Sequence, residues 1–259
     1  MKALIDGDIV AYRCAAVCEG KPFEEAQQAA DNLIGAITER VGADTYSAFF
    51  TPENKVHFRY DLYPDYKGKR PSEKPTHLEA LRAWMYQDLN LFYANYCEAD
   101  DMLRIWQDIG EDTISCTIDK DDLTYPGWKY NFVNGDHKYL DEKDAWFNFY
   151  CQMLIGDTVD NIQGVAGIGK KKAPRILQGL TVPEMHEAVS ELYDNSSRFI
   201  LNYNLFQMWP AQWTLYDGVK NNFYNTREEF DFALQQLKEE LKDWKNEAPI
   251  DQPQESDLN

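Results

Sequence analysis

Carboxylates recur along this 259-residue chain at spacings suited to cation chemistry: Asp6 and Asp8 in LIDGD, Glu98, Asp100 and Asp101 in EADD, Asp119 and Asp121 in DKD. Asp157 and Asp160 add two more, one helical turn apart. Gathering so many like charges is costly unless cations neutralise them. Hard carboxylate oxygens without neighbouring histidine or thiolate select Mg²⁺ or Mn²⁺ over Zn²⁺, and Mg²⁺ keeps waters that leave room for a phosphate. Taken singly, EADD also fits acids favoured at a helix N-terminus, and DKDD an Asx-type turn.

The surrounding pattern decides whether these acids meet. KALID is a short apolar run ending in Asp6, and IVAYRCAAV continues as a helix. Residues 23 to 41 place Phe23, Ala26, Ala30, Leu33, Ile34, Ile37 and Val41 at helical spacing. YSAFFT and KVHFRY read as strands around Pro52-Glu53-Asn54, and a helix is expected from about Thr76. The run LFYANYC ends at Glu98, ADDMLRIWQDIG reads as a helix stopping at Gly110, and TISCTI is a strand ending at Asp119. Alternation of strand and helix predicts an α/β fold, a mostly parallel central sheet flanked by helices. Asp6, Glu98 and Asp119 then stand at carboxyl ends of strands, where such sheets bind ligands. From about residue 141 the pattern is helices and loops only, which predicts a second, helical subdomain.

A second chemistry sits in GVAGIGKKKA. Gly164, Gly167 and Gly169 allow a tight, positive-φ turn between two helices, the second beginning near Lys170. Free helix N–H groups reinforced by Lys170, Lys171 and Lys172 would grip a phosphate. An ordinary helical hairpin with a soluble basic cap has the same appearance. A metal-carrying phosphate cutter beside a sequence-blind phosphate clip reads as a nuclease.

Composition bounds this reading. With 44% apolar residues the chain can bury a core, no run of eighteen apolar residues occurs, and Asp6, Asp8 and Arg13 interrupt any signal peptide. A soluble, cytoplasmic protein with no membrane association is expected. Five scattered cysteines fit neither a disulfide framework nor a paired zinc site. The formal charge of -18 argues against phosphate binding unless charge is segregated, and it is. Ten acids against three lysines lie between Glu228 and Asn259, whereas KGKRPSEK and GKKKAPR are strongly basic. Residues 246–259 have the composition of an acidic disordered tail.

The stretches LIDGD (4–8), YPDYKGKRP (63–71), EADDM (98–102), TIDKD (117–121) and GDTVDNIQGVAGIGKKKA (156–173) together resemble the 5′-nuclease (flap endonuclease) superfamily. The likeness is to bacteriophage 5′-to-3′ exonucleases and to the 5′-nuclease domain of bacterial DNA polymerase I. The motifs occur in the family's order over roughly residues 1–180; together they are specific, while any one is weak. The resemblance implies a PIN-like nuclease core over 1–140 with an arch region at about 63–80. It also implies a helical DNA-binding subdomain over 141–245, with a helix-three-turn-helix motif at about 154–178 that binds duplex DNA and holds K⁺ on its hairpin carbonyls. By the same resemblance Asp6, Glu98, Asp100 and Asp101 match a first metal cluster and Asp119, Asp121, Asp157 and Asp160 a second. Lys67 and Arg70 match catalytic groups at the scissile phosphate. Tyr66 matches a position that stacks on the terminal base, and Lys69, Gly164, Gly167, Gly169 and Lys170 to Lys172 are carried over as DNA-binding residues.

Two Mg²⁺ ions, replaceable by Mn²⁺, would activate an attacking water and stabilise the departing 3′-oxygen. Lys67 and Arg70 would offset charge on the non-bridging oxygens. The implied substrate is DNA with 5′ ends or flaps, or RNA–DNA hybrid, cut by a monomer acting beside a replication polymerase. Two departures stand out. Where many relatives carry an aspartate at the end of the second core strand, this chain has Thr51 and Pro52, and the interval from Tyr66 to Glu98 is short, which favours a short arch loop. A DNA-structure-binding protein of weak catalytic power would tolerate the Thr51 departure. A PIN-type ribonuclease would share the acids but not need the glycine-lysine hairpin.

Overall fold

The computed structural model describes residues 1–53, 56–69, 73–89 and 91–242. Arg70, expected at the scissile phosphate, and the expected acidic tail at 246–259 lie outside them. In chain order the elements are β1 (Lys2–Asp6), α1 (Gly7–Val17), α2 (Phe23–Val41), β2 (Thr45–Phe50), α3 (Phe58–Leu62), α4 (Leu78–Asp88), β3 (Phe92–Tyr93), α5 (Ala99–Ile109), β4 (Thr113–Cys116), β5 (Gly127–Tyr130) and β6 (His137–Leu140). There follow α6 (Glu142–Ile155), β7 (Gly156–Asp157), β8 (Ile162–Gln163), α7 (Ala173–Leu177), α8 (Val182–Leu192), α9 (Ser196–Phe206), β9 (Thr214–Tyr216), β10 (Asn221–Phe223) and α10 (Arg227–Glu240). The chain forms two compact units. The first comprises Met1–Phe58, Pro71–Asp122 and Pro126–Leu140, the second Arg59–Arg70, Leu123–Tyr125 and Asp141–Asn259.

The first unit is built on a six-stranded sheet of order β3-β2-β1-β4-β5-β6, parallel except for the β5–β6 pair. β1 lies at the sheet's centre, which is why Ala3, Leu4 and Ile5 form an unbroken apolar run: Ala3 and Ile5 pack on one face with α1, α2 and α4, while Leu4 packs on the other with Phe49, Ala99 and Leu103. The 23–41 helix forms as its periodicity predicts, burying Ala26, Ala30, Ile34, Ile37 and Val41. In register Asp6 stands opposite Phe49 and Ile5 opposite Cys116, so the ends of β1, β2 and β4 finish together. That alignment brings the strand-end acids to one edge.

Several expectations are corrected. The described part of the expected strand KVHFRY, residues 56–60, is not a strand: Phe58–Leu62 is helical, with Phe58, Arg59 and Leu62 buried. Aromatic and β-branched content favours strand only where a pleated partner exists, and here Arg59 instead donates from Nε to Leu205 O at 2.9 Å and from Nη2 to Gln207 O at 2.9 Å. These bonds satisfy carbonyls at the open C-terminal end of α9. LFYANYC yields only the two-residue β3. Strands β5 and β6 add to the expected elements; Asn134-Gly135 between them is the hairpin signal that could have found them.

The second unit packs α7, α8 and α9 against α6. Its core is aromatic: Phe149 meets Tyr203 edge-on at 4.9 Å, and Tyr203 stacks on Tyr216 at 3.9 Å. The expectation of helices and loops only is corrected by two short antiparallel ladders, β7–β8 and β9–β10. The β7–β8 ladder requires glycine at two positions, since a Cβ on Gly156 would stand 2.2 Å from Gly164 N, and one on Gly164 2.3 Å from Leu154 O.

Candidate active site

In the first unit Asp6 ends β1 and caps α1, its Oδ1 accepting from Ile9 N at 3.1 Å. Its Oδ2 accepts from Thr117 Oγ1 at 3.0 Å. The Thr117 hydroxyl in turn accepts from Asp119 N at 3.1 Å, and Asp119 Oδ1 accepts from Asp121 N at 2.9 Å. A chain of hydrogen bonds therefore fixes Asp6, Asp119 and Asp121 with respect to one another. Thr117 is not among the residues expected from sequence, although a hydroxyl between a strand and DKD is the visible signal.

Glu98 precedes α5 and is buried, 3.7 Å from the Nε2 of buried His57. Asp101 is fully buried, and its Oδ2 accepts the Glu98 N–H at 2.9 Å as half of a capping box. The residue expected in the first metal cluster thus uses this oxygen to close the helix start. Asp100 is different. Its Oδ1 is buried and has no hydrogen-bond partner, and burial, then the charges of Asp6, Asp119, Glu98 and Asp121, push its carboxyl well above the ordinary carboxylate range. Burial likewise raises Asp6 to about 7, against the opposing bonds from Ile9 and Thr117.

Among the described residues no group of three or more acids, histidines or cysteines is placed to hold a metal ion together. The donor set nevertheless fits a hard divalent cation: it is all carboxylate oxygen, one oxygen is orphaned and buried, and Mg²⁺ needs only one or two protein carboxylates beside its waters. Asp8 is occupied elsewhere. Its Oδ1 is paired with Arg82 Nη1, and its Oδ2 accepts from Thr51 N at 2.9 Å. At Thr51 the hydroxyl accepts from Ala99 N at 3.1 Å, so this residue ties the end of β2 to the start of α5 without adding charge.

In the second unit the Tyr66 hydroxyl donates to Asp160 Oδ2 at 3.2 Å, and Lys67 Nζ lies 4.0 Å from the same oxygen and 4.9 Å from the Tyr66 ring centre. Lys67 N also donates to Asp160 O at 2.9 Å. Lys67 holds its place in the left-handed region at φ 54°, an uncommon conformation for a lysine. Tyr66, expected to stack on the terminal base, is only 3% exposed and meets Tyr60 edge-on. Asp157 Oδ1 accepts from Val159 N at 2.8 Å and Asp160 N at 3.2 Å, an Asx-type turn. Lys69 is exposed.

The hairpin also differs from expectation. Of its three glycines only Gly167 has positive φ, at 71°; Gly164 is needed for close backbone approach, and a Cβ on Gly169 would meet open space. The following helix begins at Ala173, not near Lys170, and has five residues, so its dipole adds little. Lys170, Lys171 and Lys172 are exposed, Lys172 Nζ reaching Gly167 O at 3.4 Å.

No family model matches the chain. It is 27% identical over 210 residues to the thermostable DNA polymerase I of Thermus caldophilus, covering 68% of this chain and 23% of that one. The chain thus spans about a quarter of the length of the polymerase relatives. It is 24% identical over 200 residues to flap endonuclease Xni of Shewanella baltica, covering 65% of this chain and 71% of Xni. The T5 D15 protein co-crystallized with metal ions superposes with a TM-score of 0.64 at 17% identity, over 93% of this chain and 98% of that one. The chain shares the fold of the T5 D15 protein. Within this fold, the strand-end acids of this chain stand at the carboxyl edge of the sheet, where open α/β sheets bind ligands. No described helix is long and apolar enough to cross a membrane.

Proposed function

We propose that the chain is a divalent-metal-dependent 5′-to-3′ exonuclease and structure-specific flap endonuclease, hydrolysing phosphodiester bonds near 5′ ends in DNA or RNA–DNA hybrid. The observation that carries this reading is the buried, unpartnered Asp100 Oδ1 under the charges of Asp6, Asp119, Glu98 and Asp121. Those five acids would hold Mg²⁺ or Mn²⁺, and a bound ion supplies Lewis-acid charge and a water of lowered pKa.

The protein's own groups prepare that site. Thr117 orients Asp6 and Asp119, and Asp119 in turn holds the Asp121 backbone. Asp6 and Asp100 are protonated more readily than ordinary carboxylates and would hold the cation in their ionised form. In the second unit Lys67 would offset charge on the scissile phosphate, with Tyr66 fixing Asp160 beside it and Asp157 a further carboxylate. Within residues 141–245 the exposed Lys170, Lys171 and Lys172 would grip the duplex by its backbone, a recognition of structure rather than sequence. A hairpin-bound K⁺ belongs to the same reading, in competition with the Lys172 ammonium at Gly167 O. So do a monomeric enzyme and a replication polymerase as partner.

The deciding experiment uses a 5′-labelled flap and a nicked duplex, each as DNA and as RNA–DNA hybrid. Cleavage is expected with Mg²⁺ or Mn²⁺ and none in EDTA; cleavage that survives EDTA overturns the mechanism. Thr51, where many relatives carry an acid, favours one other reading, a DNA-structure binder without catalysis. Tight flap binding with no cutting in Mn²⁺ would establish it.

A further inference from the structure

Lys129 is a buried lysine on β5, next to the exposed Trp128. It is 3% exposed, in a sheet whose central strands are otherwise mostly apolar inside. Its ammonium donates to Gln107 Oε1 at 2.9 Å and to Asp122 Oδ1 at 3.2 Å, and the same Asp122 oxygen accepts from Ser115 Oγ at 2.6 Å. Gln107 lies on α5, two helical turns beyond Asp100, and Asp122 directly follows the Asp119–Asp121 turn. The Gln107 side chain is itself held, its Nε2 donating to Trp128 O at 2.9 Å. It crosses the backbone at Gly127, where a Cβ would stand 2.5 Å from Gln107 Cδ, so no larger residue fits there at φ 127°.

One buried ammonium therefore bridges the two elements that carry the acids: α5, with Glu98 and Asp100 at its start, and the turn with Asp119 and Asp121. A buried ion pair is a poor device for stability, since apolar residues of similar volume commonly do as well or better. A lysine with three donors can hold two acceptors on separate elements at once, which an apolar side chain cannot.

We propose that Lys129 is a positioning residue that sets the spacing between the carboxylates of α5 and those of the 119–122 turn, and through it the affinity of the proposed divalent site. The proposal rests on the metal-dependent nuclease reading above, and its test separates the two. Lys129→Met takes the ammonium away from buried Asp122, so Lys129→Met/Asp122→Asn, in which the lost charges balance, accompanies it, with Lys129→Arg as the conservative variant. Mn²⁺ binding is measured directly from the free-ion paramagnetic resonance signal, alongside flap cleavage against Mn²⁺ concentration, duplex affinity in EDTA and thermal unfolding in EDTA.

The double variant should regain thermal stability lost in Lys129→Met, yet bind Mn²⁺ about 10- to 100-fold more weakly, the range for outer-shell partners of a metal site. Half-saturation for cleavage should shift with it, duplex affinity should stay at the wild-type value, and Lys129→Arg should recover most of the loss. A merely structural lysine would move the unfolding temperature alone. A stably folded double variant with wild-type Mn²⁺ affinity overturns the proposal. If wild type binds Mn²⁺, the double variant does not, and neither cuts DNA, the brace stands and the nuclease reading fails. If wild type binds no Mn²⁺, both fall.

Discussion

Arg82 on α4 pairs with Asp8 at the start of α1, and its other amino group donates to Thr51 O at 2.6 Å. The guanidinium also lies 4.5 Å from the Phe50 ring centre. An acid two residues from Asp6 is thus neutralised by the protein itself and withdrawn from cation binding. Arg82→Met should destabilise the fold by about 2 kcal/mol, the scale of hydrogen bonds to a charged group that loses its partner. Adding Asp8→Asn should restore part of the loss. Urea unfolding of both single variants and the double variant measures the coupling.

The raised Asp6 carboxyl makes the metal-free protein pH-sensitive. Its folded value, about 7, lies above the ordinary 3.8. Between about pH 4 and 7 the folded state therefore holds more protons than the unfolded chain, and this group's contribution to stability falls as pH rises. Asp100 acts in the same direction. In EDTA the unfolding temperature should decline across that window, and Asp6→Asn should flatten the decline. Mn²⁺ compensates the exposed negative charge, so its stabilising shift should be larger at pH 8 than at pH 5.5.

Cleavage and duplex binding should separate by residue. Asp119→Asn keeps shape and removes a charge beside Asp6 and Asp121, so flap cleavage should drop by at least about 100-fold, the scale for a lost electrostatic contributor to the transition state. Duplex affinity should persist. Lys171→Glu with Lys172→Glu should weaken binding while slow cleavage survives at saturating DNA. Single-turnover cleavage and equilibrium binding on the same flap distinguish the two; equal losses in both would refute this division.

Salt should reveal whether the three lysines touch phosphate. Lys171→Ala with Lys172→Ala should reduce the slope of log affinity against log salt by about 2, near one unit for each phosphate no longer neutralised. An unchanged slope identifies the run as a solvated face.

Gly164→Ala tests the β7–β8 ladder. Its methyl would stand 2.3 Å from both Ile155 C and Leu154 O, backbone atoms that cannot swing aside, next to the bond from Val165 N to Leu154 O at 2.8 Å. A loss of about 3 kcal/mol is expected from overpacking, whereas Gly169→Ala should be nearly neutral. Thermal unfolding of the two variants makes the comparison.

Local sequence determined the central strands and the acids at their ends. Ala3 to Ile5 form an apolar run and β4 is buried at Ile114 to Cys116 because both faces of these strands are covered, and the α2 stripe is readable because its 3.6-residue period is long and unbroken. The oxygen-only donor chemistry was legible from residue types alone. Tertiary structure decided which partners the acids and their neighbours take. Asp101 is drawn into a capping box, Asp8 is taken by Arg82 from a helix far along the chain, and Tyr66 turns inward to Asp160. It also made a helix of the aromatic run at Phe58, because Arg59 finds the carbonyls of Leu205 and Gln207 nearly 150 positions away. Periodicity reports which face of an element is apolar. The partner of a buried polar group depends on which distant segments meet, and only the folded chain brings those segments together.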